Sequence, residues 1–321
     1  MQKLIVGIDI GGTNTKFGLT DLEGNVIYQS KIKTRGNGTF ANYISTVAQA
    51  IDTGKAEFAP ESEIIGVGVG APSANYYRGT IEHAPNLEWK GIVPLRDTLA
   101  SHFGVPVIVT NDANAAALGE MVYGNAKGLK DFIVITLGTG LGSGIVCGGK
   151  LIHGHDGFAA EIGHVVVNPN GRLCGCGRRG CLETYVSATG IKRTVYKMLA
   201  DETDESELRG ISFHDLSTKK ISECANNGDK VAQKAFEYTG QVLGAKLADT
   251  VAHTDPEVIF LFGGLSQAGD LIFEPTRRHL EANLMQIYKG KVKVLPSGLG
   301  NQSAPILGAA SLIVDHFNNI S

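Results

Sequence analysis

The sequence predicts an α/β fold in two lobes, and three observations lead there. Short apolar runs rich in Val and Ile alternate with segments of helical spacing, the pattern of strands laid between helices. At 321 residues the chain is longer than one hydrophobic core usually serves. The layout of the opening, a strand, a glycine-rich bend and a second strand, starts again at "DFIVITLGTGLGSGIVCGGKLI", which suggests a second, related lobe.

Taken in order, "KLIVGIDIGGTNTKFGLTDLEGNVIYQSKIKT" reads as three antiparallel strands with "GGTN" and "LEGN" at the bends. "FANYISTVAQAIDTG" has helical spacing, "EIIGVGVGAP" is a buried strand, and "LRDTLASHFG" is a helix ending at Gly104. "VPVIVTND" is another strand, followed at once by the alanine-rich helix "ANAAALGEMVYGN". The repeated strand–bend–strand comes next, then a cysteine-rich loop. Beyond it lie mostly helices: "TGIKRTVYKML", an acidic "DETDESE" read as a solvated helix start or loop, and the long run 229–253. "EVIFLFGGL" is one more buried strand, and "APILGAASLIVDHF" is an amphipathic closing helix.

Composition narrows the function. A net charge of −3 without a long Lys/Arg run gives no footprint for nucleic acid or an anionic membrane. Leu4 to Ile8 is too short an apolar run for a signal peptide or a membrane span, so a cytoplasmic, reducing location is expected and disulfides are not. The 42 glycines cluster after apolar runs, which suggests backbone brought close to a ligand.

Three of the five cysteines fall within "EIGHVVVNPNGRLCGCGRRGCLE". Cys174, Cys176 and Cys181 admit a disulfide pair, buried small residues, reactive thiols or a metal site. The Gly- and Arg-rich surroundings argue for an exposed loop, and three thiolates with the imidazole of His164 form a Cys₃His set, which zinc prefers. Four protein ligands leave no open position, so such a zinc is structural. Cys147 and Cys224 read as small core residues.

Two phosphate motifs can be discarded. "GIVCGGKL" places Leu151 where a P-loop needs Ser or Thr, and "GVGVGA" runs into Pro72 rather than a helix. "DIGGTNTK" and "LGTGLGSG" remain. Each is a strand, a bend offering unobstructed N–H groups and a threonine, then a second strand; such a bend can cradle an anion or simply close a hairpin. Asp9 adds a carboxylate where Mg²⁺ would sit beside phosphates.

"GIDIGGTNTK", "NDANAAALGE", "LGTGLGSGI…GFAAEIGH" and "CGCGRRGCLE", in that order, resemble the ROK family of sugar kinases and repressors. "LFGGL" and the closing helix extend the likeness to nearly the whole chain. The resemblance implies a ribonuclease H-like fold of the actin/hexokinase type with its active site in the interlobe cleft. It implies a small lobe of residues 1–112 plus 304–321 and a larger lobe of 113–303 carrying the cysteine loop. Family repressors bear an N-terminal helix-turn-helix, and this chain opens directly on its first strand, so a kinase is expected.

The same resemblance implies ATP, Mg²⁺ and structural Zn²⁺, the last on His164, Cys174, Cys176 and Cys181. The reaction implied is phosphorylation of the 6-hydroxyl of glucose, with Asp112 as general base. A plain helix N-cap is the other reading of Asp112. Sugar contacts map to Asn86, Asn111, Asp112, Glu161, His164 and Glu183. Nucleotide contacts map to Asp9, Gly11, Gly12, Thr13, Thr15 and Lys16, to Gly138, Thr139 and Gly140, and to Gly263 and Gly264 near the adenosine. After "GVGVG" this chain reads "APSANYYRG" where the family has Pro-Gly, so Ser73 and Asn75 are expected to tune selectivity. N-acetylglucosamine, N-acetylmannosamine or fructose are alternative substrates, and a sugar sensor without turnover is an alternative of another class. A homodimer or homotetramer is expected, with no nucleic-acid or membrane partner.

Overall fold

The computed structural model describes residues 1–36, 38–300 and 303–320. The chain forms two compact units: Met1–Leu129 with Lys150–Ala160 and Ser297–Ser321, and Lys130–Gly149 with Glu161–Pro296.

The first unit opens with β1 (Lys3–Ile10), β2 (Asn14–Thr20) and β3 (Val26–Lys33), antiparallel as the hairpin bends dictate. Helix α1 (Phe40–Phe58) is capped by Thr39, whose side chain accepts from the Asn42 N–H, and crosses to β4 (Glu63–Gly70). The short strands β5 (Ala74–Asn75), β6 (Thr80–Glu82) and β7 (Ile92–Val93) form a small antiparallel sheet. Helix α2 (Leu95–Phe103) ends on Gly104 in the left-handed conformation, and β8 (Val107–Thr110) leads straight into α3 (Asp112–Val122). Among the described residues the main sheet is five-stranded, in the order β3-β2-β1-β4-β8, with β1, β4 and β8 parallel. Phe17, Tyr43, Ile51, Val67 and Leu95 are among the side chains filling its core.

The second unit begins with β9 (Phe132–Leu137) and β10 (Leu141–Cys147), an antiparallel pair around the second glycine bend. The chain returns to the first unit at β11 (Lys150–Leu151). It then supplies the second with α4 (Ala188–Asp201), α5 (Thr218–Asn226), α6 (Lys230–Thr254), β12 (Val258–Phe262), α7 (Asp270–Asn283) and β13 (Lys293–Pro296). Within this unit the strands run β10-β9-β12-β13, with β9, β12 and β13 parallel. A hairpin continued by parallel strands is the layout of the first unit again, so the repetition seen in the sequence is a repetition of topology.

Helix α8 (Ala304–Ile320) completes the first unit, where Ala310 and Ile313 pack on Ile5. It lies so close to β4 that a Cβ on Gly68 would fall 1.8 Å from the Ala309 carbonyl oxygen. Gly66 and Gly68 of "GVGVG" therefore admit a helix, not a ligand. Helix α3 also packs on α8, with Gly119 against the backbone of Gly308. For that reason residues 113–129 group with the first unit, although the sequence assigned everything from 113 to 303 to the second lobe.

Helix α7 was not foreseen, because Pro275 stands inside it. The proline ring fits against Gly240 of α6, so tertiary packing outweighs the lost backbone bond. The acidic segment is a loop between the end of α4 at Asp201 and a 3₁₀ turn that starts at Glu207, as expected; Glu202 and Asp204 both reach Lys234, at 2.6 and 2.9 Å. Cys224 is buried as expected, whereas Cys147, the last residue of β10, is exposed and not a core residue. No helix among the described residues is long and apolar enough to cross a membrane.

Candidate functional site

In the first unit the parallel strands deliver their C-terminal ends to one edge, where Asp9 of β1 stands in register with Gly70 of β4 and Gly70 with Thr110 of β8. Gly70 lies between the two acidic residues. A Cβ there would sit 3.5 Å from the Asp112 Cα and 3.8 Å from the Asp9 Oδ1. Helix α3 starts at this point, and Asn111 caps it, its Oδ1 accepting the Asn114 N–H at 2.6 Å. The capping role open to Asp112 is therefore filled by its neighbour. Asn111, expected at the sugar, has its side-chain oxygen engaged within the helix.

Burial pushes the Asp9 carboxyl up to about 7; the negative charge of Asp112 adds to the rise, and Lys16, its cross-strand partner, works against it. Solvent reaches Asp112, yet the protein mass around it raises its pKa by desolvation, against the Ala113 N–H at 2.9 Å, which lowers it. Two neighbouring carboxylates with few donors are suited to a divalent cation or to a proton in flight.

The first glycine bend lies next to Asp9. Gly12 abuts Asn86, whose Cβ is 3.3 Å from the position of a Cβ on Gly12, so a predicted sugar residue and a predicted phosphate residue are neighbours. Thr13 is exposed, but Thr15 is completely buried, its hydroxyl 2.9 Å from that of Thr34 and 2.6 Å from that of Tyr43. It holds the bend from behind. Asn75 is likewise buried, bonded to the Arg78 N–H and the Asp156 carbonyl, so of the two loop residues expected at the sugar it is unable to contact one. Ser73 carries a positive φ of 53°.

In the second unit the ligand atoms of His164, Cys174, Cys176 and Cys181 all lie within 4.8 Å of one another. Cys174 Sγ is 3.7 Å from His164 Nδ1, and Cys176 Sγ is 3.6 Å from Cys181 Sγ. A disulfide needs about 2.05 Å, so these thiols are not paired. Tetrahedral zinc with bonds of about 2.0–2.3 Å separates its ligands by about 3.3–3.8 Å, and this set fits it. Burial opposes ionisation of Cys176, but hydrogen bonds from the Arg178 N–H and guanidinium and from the neighbouring thiols outweigh it and bring that thiol down to about 6. Burial pushes Cys174 up to about 12. His164 turns Nδ1 toward the sulfurs and Nε2 toward Glu161, 3.9 Å away.

Glu183 ties this cluster to the second glycine bend. Its Oε2 accepts the Leu141 N–H at 3.0 Å, and its Oε1 lies 3.7 Å from Cys174 Sγ. Gly263, with a φ of 104°, comes against the backbone of Leu137 just before the bend. Gly138, Thr139, Gly140, Gly263 and Gly264 thus gather at one end of β9 and β12. Arg172, which no motif marked, donates to the carbonyls of Thr184 and Gly190 and to Thr194 Oγ1, fastening the cysteine hairpin to α4.

The chain as a whole is similar to known proteins. The chain is 38% identical over 316 residues to a glucokinase of Streptomyces coelicolor, covering 96% of this chain and 97% of that protein. A xylose repressor of Caldicellulosiruptor bescii is 29% identical over 315 residues, covering 97% of this chain and 78% of the repressor. Among solved structures, a ROK family glucokinase from Streptomyces griseus in complex with glucose and AMPPNP superposes with a TM-score of 0.80 at 36% identity, covering 96% and 98% of the two chains. The sheet topology is that of the actin/hexokinase-like fold these relatives share. The ROK family model matches residues 5–316, and with the motifs in place along that whole length this chain belongs to the ROK family.

Proposed function

We propose that this protein is an ATP-dependent hexose kinase that phosphorylates the 6-hydroxyl of glucose. The observation that carries the proposal is the adjacency of Asp9 and Asp112 beside the Gly11–Thr13 bend, in a chain similar over nearly its full length to a glucokinase solved with glucose and an ATP analogue. Asp112 receives the proton of the sugar hydroxyl. Its raised pKa makes it a better base than a free carboxylate, and its place in the first turn of α3 fixes its aim. Phosphoryl transfer asks mainly for positioning, and the backbone of the Gly11–Thr13 bend holds phosphate oxygens while Asp112 orients the attacking oxygen.

Asp9 would hold Mg²⁺, which supplies charge neutralisation at the phosphates when bound. His164, Cys174, Cys176 and Cys181 would hold Zn²⁺. With the metal on its Nδ1, His164 keeps Nε2 for Glu161 or a sugar hydroxyl. Glu161, Glu183 and Asn86 read the hydroxyl pattern, since carboxylates and amides left unpaired by a missing hydroxyl penalise the wrong sugar.

The test is ADP release over a panel of glucose, N-acetylglucosamine, N-acetylmannosamine and fructose, with Asp112→Asn alongside. Highest turnover on glucose, lost in the variant, supports the proposal. A different preferred hexose keeps the chemistry and moves the substrate. Hexose binding without any ADP release favours the sugar-sensing alternative, to which the xylose-repressor likeness points.

A further inference from the structure

The buried hydroxyl of Thr15 belongs to a relay that ends on the first glycine bend. Thr34 Oγ1 donates to the Gly11 carbonyl at 2.7 Å. A hydroxyl has one proton, so with that of Thr34 spent on Gly11, Thr15 must donate to Thr34 at 2.9 Å and Tyr43 to Thr15 at 2.6 Å. All the directions along the relay are thereby fixed, from Tyr43 through Thr15 and Thr34 to the bend. Thr15, Thr34 and Tyr43 are buried, at 0%, 1% and 0% exposure, so no solvent competes. The relay begins in an aromatic cluster, with the Tyr43 ring 4.4 Å from that of Trp89.

Thr34 holds the bend twice, because its own N–H donates to the Thr13 carbonyl at 3.0 Å. The described peptide bonds are trans, and in a trans peptide the C=O and the following N–H point in opposite directions. Aiming the Gly11 carbonyl at Thr34 therefore turns the Gly12 N–H away from β3, and aiming the Thr13 carbonyl does the same for the Asn14 N–H.

We propose that Thr34, backed by Thr15 and Tyr43, is a positioning residue for the donor nucleotide, orienting two backbone N–H groups of the Gly11–Asn14 bend toward a phosphate. This rests on the kinase assignment above for the identity of the anion. It also moves Thr15 from the nucleotide-contacting set to the support behind it.

The experiment titrates Mg·ADP and glucose separately into the wild-type protein and into Thr34→Val, Thr34→Ser and Tyr43→Phe, with thermal melts to check folding. Thr34→Val is expected to weaken Mg·ADP about tenfold and leave glucose affinity within about twofold, and Thr34→Ser to restore most of the loss. Tyr43→Phe removes only the first hydroxyl and is expected to weaken Mg·ADP about threefold, which keeps the test open if Thr34→Val does not fold. A folded Thr34→Val with wild-type Mg·ADP affinity overturns the proposal, as does a matched loss of nucleotide and sugar binding. If Thr34→Val does not fold, unchanged nucleotide affinity in Tyr43→Phe overturns it. Wild-type protein that binds Mg·ADP but phosphorylates no hexose sinks the kinase assignment alone, and the ADP titrations still decide Thr34. Wild-type protein that binds no Mg·ADP sinks both.

Discussion

Glu183 accepts the backbone N–H of Leu141 at 3.0 Å while its other oxygen lies 3.7 Å from the sulfur of Cys174. One carboxylate thereby joins the second glycine bend to the proposed zinc loop, and neither can shift without disturbing the other.

A Cβ on Gly140 would stand 2.3 Å from Glu183 Oε2, so a side chain there pushes that carboxylate off the Leu141 N–H. Gly140→Ala is expected to cut kcat/KM by about tenfold or more, since misplacing a positioning group by an ångström has costs of that order. In a double-mutant cycle with Glu183→Ala the two losses should be clearly less than additive. Strict additivity would show that the contact does not matter to turnover.

Asp112→Asn should lower kcat by about 10²- to 10⁴-fold, the usual worth of a positioned base, with little change in glucose affinity. Because the surroundings of Asp112 raise its pKa, the acid limb of kcat/KM for the wild type should lie above the ordinary carboxylate value of about 3.9. Activity is lost as pH falls through that limb. A limb at the ordinary value would mean that Asp112 is hydrated like a surface residue.

Asp9 costs stability when it ionises without a cation. Its folded pKa of about 7 lies above the unfolded one, so its burial is harmless below the unfolded value, and stability falls as pH rises through 7. In magnesium-free buffer at pH 8, Asp9→Asn is expected to melt higher than wild type, by on the order of 1–4 kcal/mol in stability, while losing activity. The gap should close toward pH 4. A variant that melts lower at pH 8 would contradict the assigned environment.

Freshly purified protein should contain about one zinc per chain by elemental analysis, and Cys176→Ser should lose it. The expected consequence is a lower melting temperature and a higher KM for the sugar. Full wild-type activity in a zinc-free preparation would remove the structural role of the loop.

Ala160 has a φ of 68°, a conformation that costs an alanine about 1 kcal/mol and a glycine almost nothing. Ala160→Gly should therefore leave stability unchanged or raise it by about 0.5–1 kcal/mol, the smaller figure allowing for the looser unfolded chain. Denaturant unfolding will show a loss instead if the methyl group is what holds Glu161 in place.

The sequence made much of this legible where a short motif carries its own physics. Asp9 at a strand end, two glycine bends and a Cys₃His set could be named without coordinates, because each depends on residues close together in the chain. What lay hidden depends on distant segments. The strand glycines at 66 and 68 nearly fitted a dinucleotide motif that was discarded, and only the position of α8 explains them. Pro275 masked α7 because the pocket that accepts its ring is made by Gly240, on another helix. The resemblance placed Thr15 among the nucleotide contacts. The partners of its hydroxyl, Thr34 and Tyr43, stand 19 and 28 residues away.

The placement of α8 also bears on how the protein is made. Ile313 and Ala310 cover Ile5 from far along the sequence, so this part of the first sheet's hydrophobic back lacks that cover until α8 has been made. Strands β1 and β4 must wait, half-clothed, through synthesis of the whole second unit, and trimming those final turns should send the nascent chain toward aggregation rather than toward a smaller working enzyme.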